Sequence, residues 1–245
     1  MKKIILMMMA AGLVMSISAC GGKDGEEKSE ENETKMQEKI KNAEIGDYIT
    51  YGSYEQDDDE SNGQEPIEWC VIDKQEGKIL VISKYGLDAK MFNEEDELTT
   101  WEDSSLRTWL NDEFLKEAFN DNERANILRG VVTADKNPEY GTSEGDDVKD
   151  SVFLLSILEV NKYFHSKDEL KCKPTEYADF NGAYTSDREG YEGNCIWWLR
   201  TMGYYGRSAS CIDDEGKVNA QGRNVICDDY AVRPAMWIDT KTIYA

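Results

Sequence analysis

Two apolar runs near the C-terminus each enclose one arginine, and this pattern constrains the fold more than anything else in the chain. The first reads Ile196-Trp197-Trp198-Leu199-Arg200, and the second Val232-Arg233-Pro234-Ala235-Met236-Trp237-Ile238. Both have the length and the branched and aromatic content of strands. Turn residues separate them, at Asp214-Glu215-Gly216 and Gln221-Gly222-Arg223. A guanidinium inside such a run is costly to bury unless its donors are met. Two antiparallel strands are therefore expected, with Arg200 and Arg233 as structural clamps on loop carboxylates and carbonyls, a role that suits five fixed donors. The alternative is that both arginines converge with Asp213, Asp214 and Asp228 on an open pocket.

The opposite end is as distinctive. Met1 to Met15 starts with lysines and continues as an apolar run too short for a confident membrane span. It leads into Ile17-Ser18-Ala19-Cys20-Gly21 and then an acidic polar stretch. Small residues before a cysteine with these flanks resemble a bacterial lipoprotein signal. That resemblance implies removal of residues 1–19, lipid (palmitate among its acyl groups) on Cys20, and anchoring at the extracytoplasmic face of the cell membrane. Residues 20–44 hold few apolar side chains and are expected to be a disordered acidic tether, with one helical turn between Met36 and Ile40. Residues 45–245 form the domain. The net charge of −22 repels phosphates and anionic headgroups, so nucleic acid is excluded as a partner.

Along the domain, Tyr48–Tyr54 alternates as a strand, and two apolar runs meet at Glu76-Gly77 as a hairpin. The Asp57–Glu60 run reads as a solvated charge run, since it lacks the spaced ligands of a calcium loop. Thr100 and Asp103 have capping-box spacing and predict the start of the main helix. Leu106, Trp109, Leu110, Phe114 and Ala118 then share its core face, while Arg107 faces solvent or pairs with a carboxylate. A short helix is expected from Asn120 to Leu128, a strand over Val131–Ala134, a long surface loop over 136–150 and a strand over Val152–Leu155. Ser156 and Glu159 repeat the capping box into a helix ending near Phe164. The chain has a single histidine, His165, which leaves the usual general-base chemistry without its base.

Cys20 aside, five cysteines remain. Cys70 lies in an apolar strand and is the expected buried thiol. Cys172, Cys195, Cys211 and Cys227 suffice for two bridges, but their spacing selects no pairing and is equally compatible with reduced thiols.

The Trp197–Arg200 and Val232–Ile238 strands, with Pro66–Ile72, Thr100–Asn111 and Val152–Glu159, resemble an uncharacterised bacterial extracytoplasmic domain family over Ile45 to Ile238. That family is similar to the C-type-lectin-like fold of the formylglycine-generating enzymes. The resemblance implies an α+β fold with antiparallel sheets, two or three helices, paired terminal strands and a binding surface on the late loops. Here those loops carry Tyr204, Tyr205, Arg207, Asn219, Gln221, Arg223 and Asn224, a mix of aromatic faces and donors that suits a glycan or a protein. Asp213, Asp214, Asp228 and Asp229 would supply oxygens to a calcium ion if their loops meet, and otherwise serve as turn formers. The enzymes hold copper between cysteines four apart, a spacing absent here, so their active site does not carry over. No other cofactor is expected. The leading expectation is a lipid-anchored, non-catalytic binding or structural module; an extracytoplasmic enzyme of that superfamily and a structural partner in an envelope complex are the alternatives.

Overall fold

The hairpin expected at Glu76-Gly77 is the seed of the larger sheet. In the computed structural model, which describes residues 34–143 and 145–242, β1 (Tyr48–Tyr54), β2 (Glu65–Gln75) and β3 (Lys78–Ser83) form an antiparallel meander. β3 is buried from Ile79 to Ser83, which accounts for its unbroken apolar run. The last strand, β12 (Ala235–Asp239), pairs with β3 on one side and with β7 (Val152–Phe153) on the other. The sheet order is thus β1-β2-β3-β12-β7. The terminal strands β1 and β12 share this sheet but are not neighbours, contrary to the pairing expected of them.

A second five-stranded sheet runs β10 (Val218–Asn224), β9 (Ser208–Ile212), β8 (Trp197–Met202), β11 (Ala231–Val232), β4 (Asp88–Ala89). It is antiparallel except where β11 lies parallel to β8. The two sheets share a pair of chain segments. After β3 the chain crosses into the second sheet as β4, and after β11 it crosses back as β12, so the crossings run side by side. Ser83 N–H donates to Pro234 O and Leu87 N–H to Val232 O, both at 2.9 Å. A small ribbon of β5 (Gly130–Val132) and β6 (Val148–Asp150) completes the strands.

The main helix differs from its expectation in two ways. Its N-cap is Ser104, whose Oγ accepts from Arg107 N–H, and Thr100 and Asp103 instead touch each other ahead of it. Its buried positions are Leu106, Leu110, Phe114 and Ala118, every fourth residue. An α-helix advances about 100° per residue and would carry that set around its surface. A π-helical turn at Leu110–Phe114, between α-helical Ser105–Trp109 and Leu115–Ala118, takes up the drift. Trp109 is displaced from the core face as a result. It is half-buried, packed on Phe114 with ring centroids 5.3 Å apart.

The motif around that helix is a set of ties to the segment before β7. Asp150 is buried, and it accepts from Trp101 Nε1 (3.0 Å) and Arg107 Nε (2.8 Å). Asn111 acts as a strand edge, donating to Val152 O (2.8 Å) and accepting from Ser151 N–H (2.8 Å). Helices Asp121–Asn126 and Ile157–Tyr163 carry complete capping boxes at Asn120/Glu123 and Ser156/Glu159. With Lys167–Leu170, Glu176–Phe180 and the helical residues 34–42, the helices exceed the two or three expected.

Two further expectations are corrected. The folded unit begins at Met36, not at Ile45: Ile40 and Ala43 are buried and Met36 packs against the core, so the last part of the expected tether is an amphipathic helix. Cys70 is only half-buried, because it alternates outward between buried Trp69 and Val71, whereas Cys172, Cys195 and Cys211 are buried. The leader and Cys20 lie outside the described residues. No helix among the described residues is long and apolar enough to cross a membrane.

If residues 36–44 belong to the fold, Ile40→Ala will destabilise it by about 2–5 kcal/mol in urea unfolding. A change below about 0.5 kcal/mol would return this segment to the tether.

Candidate functional site

Arg200 and Arg233 are both buried inside the fold, where some but not all of their donors are met among the described residues. Arg200 is fully buried; its Nη1 donates to Leu154 O (2.9 Å) and pairs with Glu159, and its Nη2 donates to Thr133 O (3.2 Å). Arg233 donates from Nε to Ser83 O (3.0 Å) and lies over the Trp197 ring, 4.9 Å from its centroid.

The late loops do form a distinct surface. β8 ends at Met202, and the backbone of Gly203 passes so close to β10 that a Cβ there would stand 2.3 Å from Gln221 O. The following tip carries Tyr204 and Tyr205, which are 60% and 49% exposed. Tyr204 N–H donates to Gln221 O (2.8 Å), and Ser208 Oγ donates to Tyr205 O (2.8 Å), so the tip is fixed from both sides. Tyr140, 43% exposed, meets Tyr204 edge-to-face at 5.2 Å, and Tyr204 meets Tyr205 in the same way at 6.2 Å. Leu98, 74% exposed, flanks the tip near Gly206.

Tyr140 and Leu98 were not singled out in the sequence, and Asn137 explains how they arrive. This side chain is buried in the loop expected to be all surface, and it donates to both Met202 O and Ala220 O at 2.8 Å. Its Oδ1 accepts from the amides of Glu139 and Tyr140, which turns the loop back on itself beneath Tyr140. The one readable signal was an aromatic residue inside a long polar loop.

The remaining candidates divide. Arg207 and Asn224 both reach Asp96, at 3.9 and 3.3 Å, and form a polar flank to the tip. Gln221 is exposed next to Tyr204. Asn219 is taken up by the β10 bulge, accepting from Gly222 N–H (3.1 Å). Arg223, though exposed, neighbours Cys211, Cys227 and Tyr230 and not the tyrosine tip.

Among the described residues the four aspartates belong to no group of three clustered carboxylates, and Asp213 and Asp214 are both engaged at the β9–β10 turn. Asp214 is buried and accepts from Ser186 Oγ (2.7 Å) and Arg188 Nη1 (2.9 Å), tying the 184–194 loop to the β9–β10 turn. Asp213 caps that turn, accepting from the amides of Glu215 and Lys217. Next to them, Lys217 and then Arg188 hold the Glu215 carboxyl down to about 2. Asp228 instead borders a cavity of about 910 Å³ over Trp109, Leu106 and Met91, where Lys90 Nζ stands 4.5 Å from the Trp109 centroid. Among the described residues the one group of three carboxylates with oxygens within 4.8 Å of one another is Glu55, Asp57 and Glu65. Asp57 opens the charge run that the sequence marks as solvated and the two glutamates lie on either side of it, and their oxygens accept from loop amides such as Asp59 N–H and Gln56 N–H.

A family model described as a domain of unknown function (DUF6273) matches residues 76–240. No curated protein and no solved structure matches the chain. The matched segment begins inside the β2–β3 hairpin and ends after β12, so it takes in the whole second sheet, the main helix and the tyrosine tip.

Because Asp214 anchors the loop through buried bonds, Asp214→Ala will lower stability by about 1–3 kcal/mol at pH 7 in urea melts, leaving Ser186 and Arg188 without their acceptor. A loss under about 0.3 kcal/mol would show that the loop is held elsewhere.

Proposed function

The chain belongs to this family of a domain of unknown function, DUF6273, and from that premise we propose that it is a lipid-anchored, non-catalytic binding module of C-type-lectin-like fold, displayed on the extracytoplasmic face of the cell membrane. Its ligand face is the tyrosine tip, and its ligand class is a neutral glycan. One observation carries this reading: Tyr140, Tyr204 and Tyr205 stand exposed and in mutual edge-to-face contact on a tip fixed by buried hydrogen bonds. Leaving three aromatic side chains in water has no value for folding, and contiguous exposed apolar surface marks interaction sites. Tyrosine gives a sugar ring a flat apolar face to stack on and a hydroxyl to bond, and Gln221 adds amide donors beside it.

Charge narrows the ligand. With a net charge of −22 and with Arg207 close to Asp96, the face offers an anion little attraction. The lectin-like fold is supported by first and last strands sharing one sheet and by a binding tip between late strands. The lipid anchor rests on the Ile17–Gly21 sequence and its flanks. One acyl chain holds a protein only weakly, so stable attachment at Cys20 takes the two or three chains such lipoproteins carry.

A single pair of variants tests the reading. On an array of neutral oligosaccharides the protein will bind, and the double change Tyr204→Ala, Tyr205→Ala will weaken that binding about 30-fold, the factor that corresponds to ~2 kcal/mol. The melting temperature will stay as it was, because both rings are exposed. On cells, Cys20→Ala will abolish labelling by a fatty-acid analogue. Binding by the double variant equal to that of the parent, or no glycan bound at all, would overturn the ligand assignment; undiminished labelling of the Cys20 variant would overturn the anchor.

A further inference from the structure

Cys172 and Cys195 are far apart in sequence and side by side in the fold. The Cys195 N–H donates to Cys172 O at 2.8 Å, so the two backbones meet at these residues. Both sulfurs lie against the same short stretch, Lys84 to Gly86. Cys172 Sγ is 3.7 Å from Lys84 O, and Cys195 Sγ is 3.5 Å from the point a Cβ on Gly86 would occupy. Any side chain at Gly86 would also stand 2.6 Å from the Ala231 Cβ, so glycine is what lets these segments close together. Cys70 lies on β2, where its thiol faces the Val71 carbonyl at 3.9 Å.

Arg233 completes the surroundings. It is 5% exposed, and its Nη1 is buried with no hydrogen-bond partner among the described residues. Its charge acts on both sulfurs. Burial raises both thiols, and Cys195 stays high; at Cys172 the burial is outweighed by the Cys195 thiol, Arg233 and the Gly86 amide, which bring it below the usual range.

We propose that Cys172 and Cys195 close into a disulfide by exchange with a disulfide-bearing oxidant, either a thiol oxidoreductase or a small disulfide such as oxidised glutathione. The Cys172 thiolate, its proton released to water, attacks one sulfur of the oxidant, and the other sulfur leaves as a thiolate. Cys195, deprotonated in turn, attacks the Cys172 sulfur of the mixed disulfide and expels the second oxidant sulfur. Two protein thiols lose two electrons, and one external disulfide becomes two thiols. Both cysteines are buried in the finished fold, so the exchange takes place before the 172–195 segment docks, and the bond is then shielded from reductant. It fastens the segment carrying helix Glu176–Phe180, Ser186 and Arg188 to the entry of β8. The proposal is independent of the glycan reading and, in a buffer of set redox composition, of where the protein resides.

The test is to reduce and unfold the full chain, refold it by dilution into reduced and oxidised glutathione, alkylate remaining thiols and digest it without reduction. The expected product is one cross-linked peptide pair holding Cys172 and Cys195 that disappears on reduction. The oxidised protein will melt about 5–15 °C above the reduced one, and Cys195→Ser will remove that dependence on redox state. Recovery of Cys172 and Cys195 as alkylated thiols after oxidative refolding, or of either joined to another cysteine, would overturn the proposal. Should Cys195→Ser fail to fold, the peptide map of the unaltered chain decides alone.

Discussion

The structure depends on a buried guanidinium at the point where two chain segments change sheets. β3 leaves the first sheet at Ser83 and β12 enters it at Ala235, while β4 and β11 pair in the second. At such a crossing the regular ladder lapses, and the exposed carbonyls need donors from elsewhere. Arg233 supplies one to Ser83 O and lays its face over Trp197, the first residue of β8, so a single side chain touches both sheets. Pro234 beside it has no amide to leave unpaired, and its carbonyl accepts from Ser83. Lysine would not replace this arginine, since it lacks the planar fork and the stacking surface.

The same solution recurs away from the crossing. Asp150 collects Trp101 and Arg107, Arg200 collects Glu159 and two carbonyls, and Asp214 collects Ser186 and Arg188. In each case a charged group takes the place of a ladder in fastening a loop to a sheet. Such buried pairs add little net stability over apolar packing, but removing one partner leaves a desolvated group behind and costs several kcal/mol. They specify where loops sit. Asp214 so fixes the 184–194 loop at the β9–β10 turn, while the neutral amide of Asn137 does the same for the 136–150 loop and the tyrosine tip.

Much of this was legible. The hairpin at Glu76-Gly77, the Arg200-bearing strand and the capping boxes at Asn120 and Ser156 follow from local rules that tertiary context did not override. The run around Arg233, expected as one strand antiparallel to the first, instead divides at Arg233-Pro234 into β11, which lies parallel to β8, and β12 in the other sheet. Other features depend on contacts remote in sequence. Nothing local predicts the π turn that moves Trp109 off the core face, because an α-helical wheel places Trp109 and Leu110 on one side. Residues 36–44 look too polar to fold, yet Ile40 and Ala43, with Met36 beside them, anchor the segment in the core. The aromatic tip was half visible: Tyr204 and Tyr205 came from the late-strand pattern, but Tyr140 joins them only because Asn137 bonds to carbonyls of β8 and β10. Which carboxylates meet is likewise not readable from closeness in sequence, as Glu55, Asp57 and Glu65 show.

The crossing held by Arg233 unites the two sheets into one cooperative unit. Native-state hydrogen exchange of the Ser83 and Leu87 amides, which bond across the crossing to Pro234 and Val232, measures this directly. The account predicts that both amides exchange only through global unfolding, with the same free energy as the β3 amides that pair with β12. Exchange of Ser83 and Leu87 through a lower-energy opening, with the β3–β12 ladder still protected, would show that the sheets are stabilised separately and that the crossing is only a link.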